Sequence, residues 1–150
     1  PILYHDIYGP RLKHWVIGQW KKHLFNDMDE ALILDFYYAI SGYDKTHEPG
    51  FDKLDEKGLS PDYVYRETRR CVDDVQGKAA VISGVGFDVP WHHPDGMVPF
   101  PSEPQVLYEA VTKSFQAGAS GVMASRDYDE MQLKNLQAFG NAIRDWKMNR

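Results

Sequence analysis

The carboxyl groups that could do chemistry in this sequence stand at the ends of apolar runs. Asp6 follows Ile2-Leu3-Tyr4-His5, Asp88 follows the run from Ala79 to Phe87, and Asp127 follows Gly121 to Arg126, with Asp95 and Glu130 close behind. Paired carboxyls serve as general acid, base or nucleophile, and single ones accept hydrogen bonds from ligand hydroxyls. Asp88 precedes Val89-Pro90, where an Asp also serves to bond a loop amide. Nucleophile, ligand contact and loop anchor therefore all stay open for it, and Asp6, beside His5, has the same choice. Asp127 and Glu130 read as a helix-capping pair. Arg126 can grip a carboxylate or phosphate bidentately or pair internally with Asp88 or Asp127, and the internal pair is slightly favoured. His92-His93-Pro94-Asp95 invites a metal, but adjacent side chains of extended chain point apart and no HExxH or spaced Cys/His set supports one. No metal and no cofactor is expected. Trp91 can stack on a ligand ring or pin its loop. Tyr43, in Ser41-Gly42-Tyr43-Asp44, is the cleft candidate among the tyrosines, whereas Tyr37 reads as core. The catalytic candidates are thus Asp88 and Asp6, and the ligand-contact candidates are His5, Tyr43, Trp91, His92 and Arg126.

These residues need elements to position them. Ala79 to Gly86 is a run of small and apolar residues suited to a strand buried on both faces. A long polar loop, Phe87 to Pro101, follows it. Ser102 with Gln105 forms a capping box that opens a helix, and Ala117-Gly118-Ala119 leads into a second buried strand from Gly121 to Arg126. Parallel strands need a helical crossover of about this length, and ligands bind beyond the carboxyl ends of parallel strands. At the start of the chain, Ile2-Leu3-Tyr4 reads as a short strand broken by Gly9-Pro10. Arg11 to Phe25 is helical, with Leu12, Val16, Trp20 and Leu24 at four-residue spacing. A capping pair of Asp27 and Glu30 opens a helix from Met28 to about Ile40, with Leu32, Ile33, Phe36, Tyr37 and Ile40 on its apolar face. Tyr43 to Leu59 is a long polar loop of a kind that is often functional. Ser60-Pro61 starts the next helix, with Val64, Thr68, Cys71, Val72 and Val75 on one face. The last helix runs to about Trp146, with Leu133, Leu136, Phe139, Gly140 and Ile143 facing inward.

The unit strand, loop, helix thus occurs three times, from Ile2, Ala79 and Gly121, and the first copy carries a helical insertion at about 11–40. Three parallel strands leave two bare edges, which invite pairing. Either the chain is the last three units of an eight-stranded barrel, or it is a small open sheet with helices on both faces. The long loops at the strand ends favour the barrel. The fold class is α/β, a parallel-strand (β/α) barrel segment.

Composition narrows the function. A net charge of −5 argues against a nucleic-acid partner, because phosphate binding needs a basic surface. No apolar run is long enough to span a bilayer, so no membrane partner is expected. Nine Tyr and four Trp are more than a compact core needs, and some should line a groove. Cys71 is the single cysteine and reads as a small buried hydrophobe. There is no signal peptide, but a start at Pro1 suggests a trimmed chain, which leaves export to a secreted or periplasmic location open.

Several motifs carry a resemblance. Gly118 to Arg126, followed by Tyr128-Asp129-Glu130-Met131 and Asn135-Leu136, resembles the closing unit of certain glycoside-hydrolase-like barrels. Ile82-Ser83-Gly84-Val85-Gly86-Phe87-Asp88-Val89-Pro90 is similar to their seventh strand, and Ile2-Leu3-Tyr4-His5-Asp6 looks like the end of the sixth. The resemblance implies a TIM-barrel-like fold acting on carbohydrate, with hydrolysis of glycosidic bonds by two flanking carboxyl groups. In the large retaining clan of such enzymes the acid/base Glu follows the fourth strand, which this chain lacks. Asp88 stands where the nucleophile Glu ends the seventh strand. The alternatives are a non-catalytic carbohydrate-binding or assembly module on the same scaffold, and a phosphate-binding barrel enzyme using Gly84, Gly86 and Arg126. An aldolase would need a Schiff-base Lys within an interior strand, and a dinucleotide fold would need a helix directly after Ser83-Gly84-Val85-Gly86; neither is present. The expected partners are a carbohydrate ligand and either a second copy or the N-terminal part of the barrel.

Overall fold

The structure, a computed structural model, describes residues 1–93, 96–98, 100–125 and 130–149. Its strands are β1 (Ile2–Leu3), β2 (Ile82–Val85), β3 (Trp91–His93), β4 (Gly96–Val98) and β5 (Gly121–Ala124). β1, β2 and β5 form a parallel sheet in that order, with Ile2 opposite Gly84 and Gly84 opposite Met123. The protein is therefore α/β, and the repeated strand–helix units lie side by side in chain order. β3 and β4 form a separate antiparallel hairpin, with His92 opposite Met97. That hairpin replaces the irregular loop expected between Phe87 and Pro101.

The helices are α1 (Tyr8–Arg11), α2 (Gly18–His23), α3 (Glu30–Ser41), α4 (Pro61–Val75), α5 (Pro104–Gln116) and α6 (Leu133–Met148), and a π-helical stretch Leu12–Ile17 joins α1 to α2. The strand ends before Gly9 and Pro10, which lie buried in the first turn of this helix. Pro is tolerated there because an N-terminal N–H has no intrahelical partner. Asp29, not Asp27, caps α3, its side chain accepting from the Ala31 N–H at 2.8 Å. Ser60 caps α4 as its sequence predicts, accepting from the Asp62 N–H at 3.2 Å. α5 starts later than expected, with Glu103 at the cap and Pro104 in its first turn, which frees Ser102 for another task.

Crossovers between parallel strands are right-handed in nearly all proteins, so strands laid down in one direction put every helix on the same face. The core shows this arrangement. Leu3, Val85 and Phe87 from the sheet pack against Val64 of α4, Leu107, Ala110 and Val111 of α5, and Phe139 and Ala142 of α6. The hydroxyls of Thr68 and Ser114 both reach Ser83, at 3.0 and 3.2 Å, and tie α4 and α5 to the middle strand. On the opposite face no helix covers the strands among the described residues, and only the end of α1 approaches it, through Arg11 beside Tyr4. Ile2, Ile82 and Met123 on it are 57, 49 and 48 % exposed, so the strands are not buried on both faces as their sequences predict. Helices on both faces, the open-sheet alternative, are not what is seen.

The segment between β1 and α4 builds a second apolar cluster. Leu12, Ile17, Ile33, Leu34, Tyr38, Leu54 and Leu59 are buried there. α3 is apolar nearly all round, and only Ile33, Leu34 and Tyr38 are buried, so Leu32, Phe36 and Ile40 stay exposed. In α6 Asn135, Ala138, Phe139 and Ala142 are buried and Leu136 and Ile143 pack partly buried against the core, while Leu133 and Gly140, expected inward, are exposed. Cys71 is half-buried on α4.

Candidate functional site

β1 and β2 end beside each other, and their carboxyl ends deliver Asp6 and Asp88 to one buried network. Asp88 is 7 % exposed with φ +54°, a left-handed conformation that Asp tolerates better than most residues. Its carboxylate accepts from the Ser102 N–H at 3.0 Å, the Gln132 N–H at 2.9 Å, the Asn135 side-chain amide at 2.8 Å and the Gln132 side-chain amide at 3.3 Å. The Asp88 N–H donates to Ser102 Oγ at 2.8 Å, and Ser102 Oγ in turn donates to Asp6 Oδ2. Ser102 therefore bridges the two candidate carboxyls. Asp6 Oδ1 accepts from the Ile7 N–H at 3.0 Å, and Asn135 Nδ2 also donates to the Ser102 carbonyl at 2.9 Å. The end of β2, the entry to α5 and the start of α6 are thus fastened at one carboxylate.

Asp6 also lines a cleft of about 770 Å³ between the two helix starts. Its walls come from His47–Pro49 and Glu56–Pro61 on one side and from Phe100–Glu103 with Val106 on the other. Glu48 is buried in the wall, and its carboxylate accepts from the Ser60 N–H at 2.7 Å and Ser60 Oγ at 3.0 Å. Burial nevertheless holds the Glu48 carboxyl above its ordinary range. The long polar loop is thus irregular, apart from a short 3-10 turn at Phe51–Lys53, because it forms this wall. The Leu59 N–H donates to the His5 carbonyl at 2.7 Å and fixes the loop to the end of β1.

His5 itself is 1 % exposed, and both ring nitrogens are buried with no hydrogen-bond partner. Burial pushes its pKa below the ordinary 6.5, and the neighbouring Asp6 carboxylate offsets that only in part. The unfolded chain therefore binds a proton at His5 at a pH where the folded chain does not. Stability must rise with pH across that window. Acidification below pH 6.5 should lower the melting temperature until the folded-state pKa is passed. His5→Leu should flatten the wild-type profile over the same window. Glu48 titrates with the opposite sign and is shared by both proteins, so the difference between their melting curves from about pH 7 to pH 5 isolates His5. Parallel profiles would show that the imidazole finds a partner in solution.

The remaining candidates separate. Tyr43 does not line the cleft. It belongs to an aromatic cluster with Tyr37, Tyr38 and Tyr63, with the Arg66 guanidinium 3.7 Å from its ring centre. Burial there pushes its hydroxyl up to about 12. Trp91 and His92 lie on β3, at the hairpin that follows Asp88. Arg126, Asp95 and Asp127 lie outside the described residues. Among the described residues no group of three or more His, Cys, Asp and Glu could hold a metal ion, and no helix is long and apolar enough to cross a membrane. Ser102, Gln132, Asn135 and Glu48 are the site residues that sequence reasoning missed. Pro104 was the available signal for Ser102, because a Pro in the first helical turn moves the cap to Glu103. Nothing local marks the other three.

The class this geometry defines is a singly wound α/β unit with buried carboxylates and a cleft at the carboxyl ends of its strands. No protein-family model, curated protein or solved structure matches the chain.

Proposed function

We propose that the chain is the closing part of a (β/α)8-type barrel that binds carbohydrate at the carboxyl ends of its strands and serves the hydrolysis of glycosidic bonds. The observation that carries this reading is the sheet order β1-β2-β5 with α4, α5 and α6 packed on one face. An arc wound in one direction, with an exposed inner face of Ile2, Ile82 and Met123, is what three units of a barrel present before the others close it. The partner that fits this face is the N-terminal part of the barrel, which would pair the outer edges of β1 and β5 and bury the inner side chains. Asp6 and Glu48 give the cleft acceptors for sugar hydroxyls, and Phe100, Pro49 and Pro101 give it apolar contact.

One observation favours the alternative of binding without catalysis. The Asp88 carboxylate is held by four donors from the protein itself, whereas a nucleophile or base must turn a lone pair to the substrate. In this proposal Asp88 anchors the site, and any catalytic pair is completed from the rest of the barrel. The test is calorimetry of the whole chain against a panel of neutral oligosaccharides, run beside aryl glycosides as turnover substrates. Binding in the panel is expected, with Asp6→Asn about tenfold weaker and also somewhat less stable, because the amide turns a donor toward the Ile7 N–H or Ser102 Oγ. Turnover assigns an enzyme, and binding alone assigns a module. No saccharide binding at all would sink both.

A further inference from the structure

Over the ends of β1 and β2, on the side away from α4, α5 and α6, stands an arginine with no counter-ion among the described residues. Arg11 is the last residue of α1, and its guanidinium carbon lies 5.9 Å from the centre of the Tyr4 ring and 5.8 Å from that of Trp15. Tyr4 follows β1 and lies across Gly86, where a Cβ would overlap the ring. Gly86 in turn follows β2. Arg11 is thereby placed over the carboxyl ends of β1 and β2, on the side away from α4, α5 and α6. Its backbone is held firmly, because Gly9 abuts the carbonyls of Lys57 and Leu54 with no room for a side chain. Arg11 is half-buried, and its Nε is buried with no hydrogen-bond partner.

Every other described arginine has at least one carbonyl, carboxylate or amide acceptor, although Arg66 also keeps a buried Nη2 without one. Arg66 donates to the Gly42 carbonyl at 3.1 Å, Arg69 to Asp73 at 3.1 Å, Arg70 to the Ser41 carbonyl at 3.0 Å and Arg144 to Asn141 at 2.7 Å. Among the described residues Arg11 has neither a carboxylate nor a carbonyl partner. Aromatic faces attract its charge but cannot accept its five N–H donors in the plane of the fork. A buried donor left without an acceptor is destabilising, and a guanidinium cannot shed its proton to relieve this. What satisfies such a group is a planar pair of anionic oxygens met edge-on.

We propose that Arg11 is an anion-binding residue, which receives the carboxylate or phosphate of an anionic saccharide, with Tyr4 and Trp15 holding the guanidinium in register. The proposal rests on the reading of the helix-free face as the inner face of a carbohydrate-binding barrel, and it narrows the ligand to a uronate or a sugar phosphate.

Calorimetry of the whole chain with glucuronate and galacturonate oligomers, glucose 6-phosphate, neutral glucose oligomers, and inorganic phosphate and acetate alone tests it. One anionic saccharide class should bind about tenfold or more tighter than its neutral counterpart, and added salt should erode the preference. Which class does so distinguishes the uronate from the phosphate. Arg11→Gln should abolish the preference without lowering the melting temperature, because no internal acceptor is lost. Arg11→Lys should keep only part of it, since an ammonium lacks the fork. Neutral and anionic sugars binding equally would overturn the anion site and leave the barrel reading standing. Arg11-dependent binding of phosphate or acetate with no saccharide bound would do the reverse. A marked fall in melting temperature in Arg11→Gln, or no anion bound at all, would overturn the proposal.

Discussion

Asp88→Ala should lower unfolding free energy by about 3–5 kcal/mol, the range for stripping a buried charge-bearing network of its centre. The side chain holds two backbone amides, those of Ser102 and Gln132, and two side-chain amides, those of Asn135 and Gln132. Ser102 and Asn135 are themselves buried, so water does not readily replace the lost acceptor, and each orphaned donor adds its desolvation cost. Alanine also adds strain at φ +54°. Asp88→Gly removes the carboxylate without that strain and should be less damaging than Asp88→Ala by about 1 kcal/mol. Asp88→Asn keeps the shape and tolerates the conformation, but it turns a donor group toward donors and should still cost about 1–3 kcal/mol. Urea denaturation of the three variants reads all of this. If Asp88→Asn unfolds with the wild-type midpoint and abolishes turnover instead, the carboxylate is catalytic and not an anchor.

The contrast between anchor and catalyst shows where sequence reasoning reaches its limit. The end of a strand is legible because small and apolar runs such as Ile82-Ser83-Gly84-Val85 stop abruptly at polar residues, and this places Asp6 and Asp88 near each other without any coordinates. Their roles depend on partners far away in the chain. Gln132 and Asn135 lie 44 and 47 positions from Asp88, and no local pattern marks an amide that will turn inward. Ser102 looked like a helix cap because Gln105 stands three residues on, yet Pro104 competes for the helix start and wins. Tyr43 reads as a cleft residue because it stands at the start of a polar loop, but the aromatic cluster with Tyr63 and Arg66 takes it away from the cleft. Ile82 was expected to be covered because parallel strands are normally sandwiched, and the helix-free face leaves it half-exposed. Arg11 offered only helix periodicity to the sequence; its want of a partner is visible only in three dimensions.

Gly58→Ala should be the other severe substitution, and its cause is steric rather than polar. A Cβ at Gly58 would overlap the Cα, carbonyl carbon and carbonyl oxygen of Asp6. These are backbone atoms at the end of β1, so no rotamer change relieves the clash and the loop must retreat. Retreat breaks the bond from the Leu59 N–H to the His5 carbonyl and pulls Leu59, 1 % exposed, out of the second apolar cluster. Overpacking alone costs about 1–3 kcal/mol, and partial exposure of a buried Leu adds up to about 1.5–3 kcal/mol, so a loss near 3 kcal/mol or more is expected. The same movement displaces Glu56–Pro61, one wall of the cleft, whereas the donors to Asp88 come from Ser102, Gln132 and Asn135. Gly58→Ala should therefore weaken saccharide binding more than Asp88→Asn does at equal loss of stability. Hydrogen exchange gives the decisive readout: the Leu59 amide should lose protection in Gly58→Ala while the Ser102 and Gln132 amides keep theirs. Uniform loss of protection across all three would mean that loop and anchor unfold as one unit, and that the cleft wall is not an independently held element.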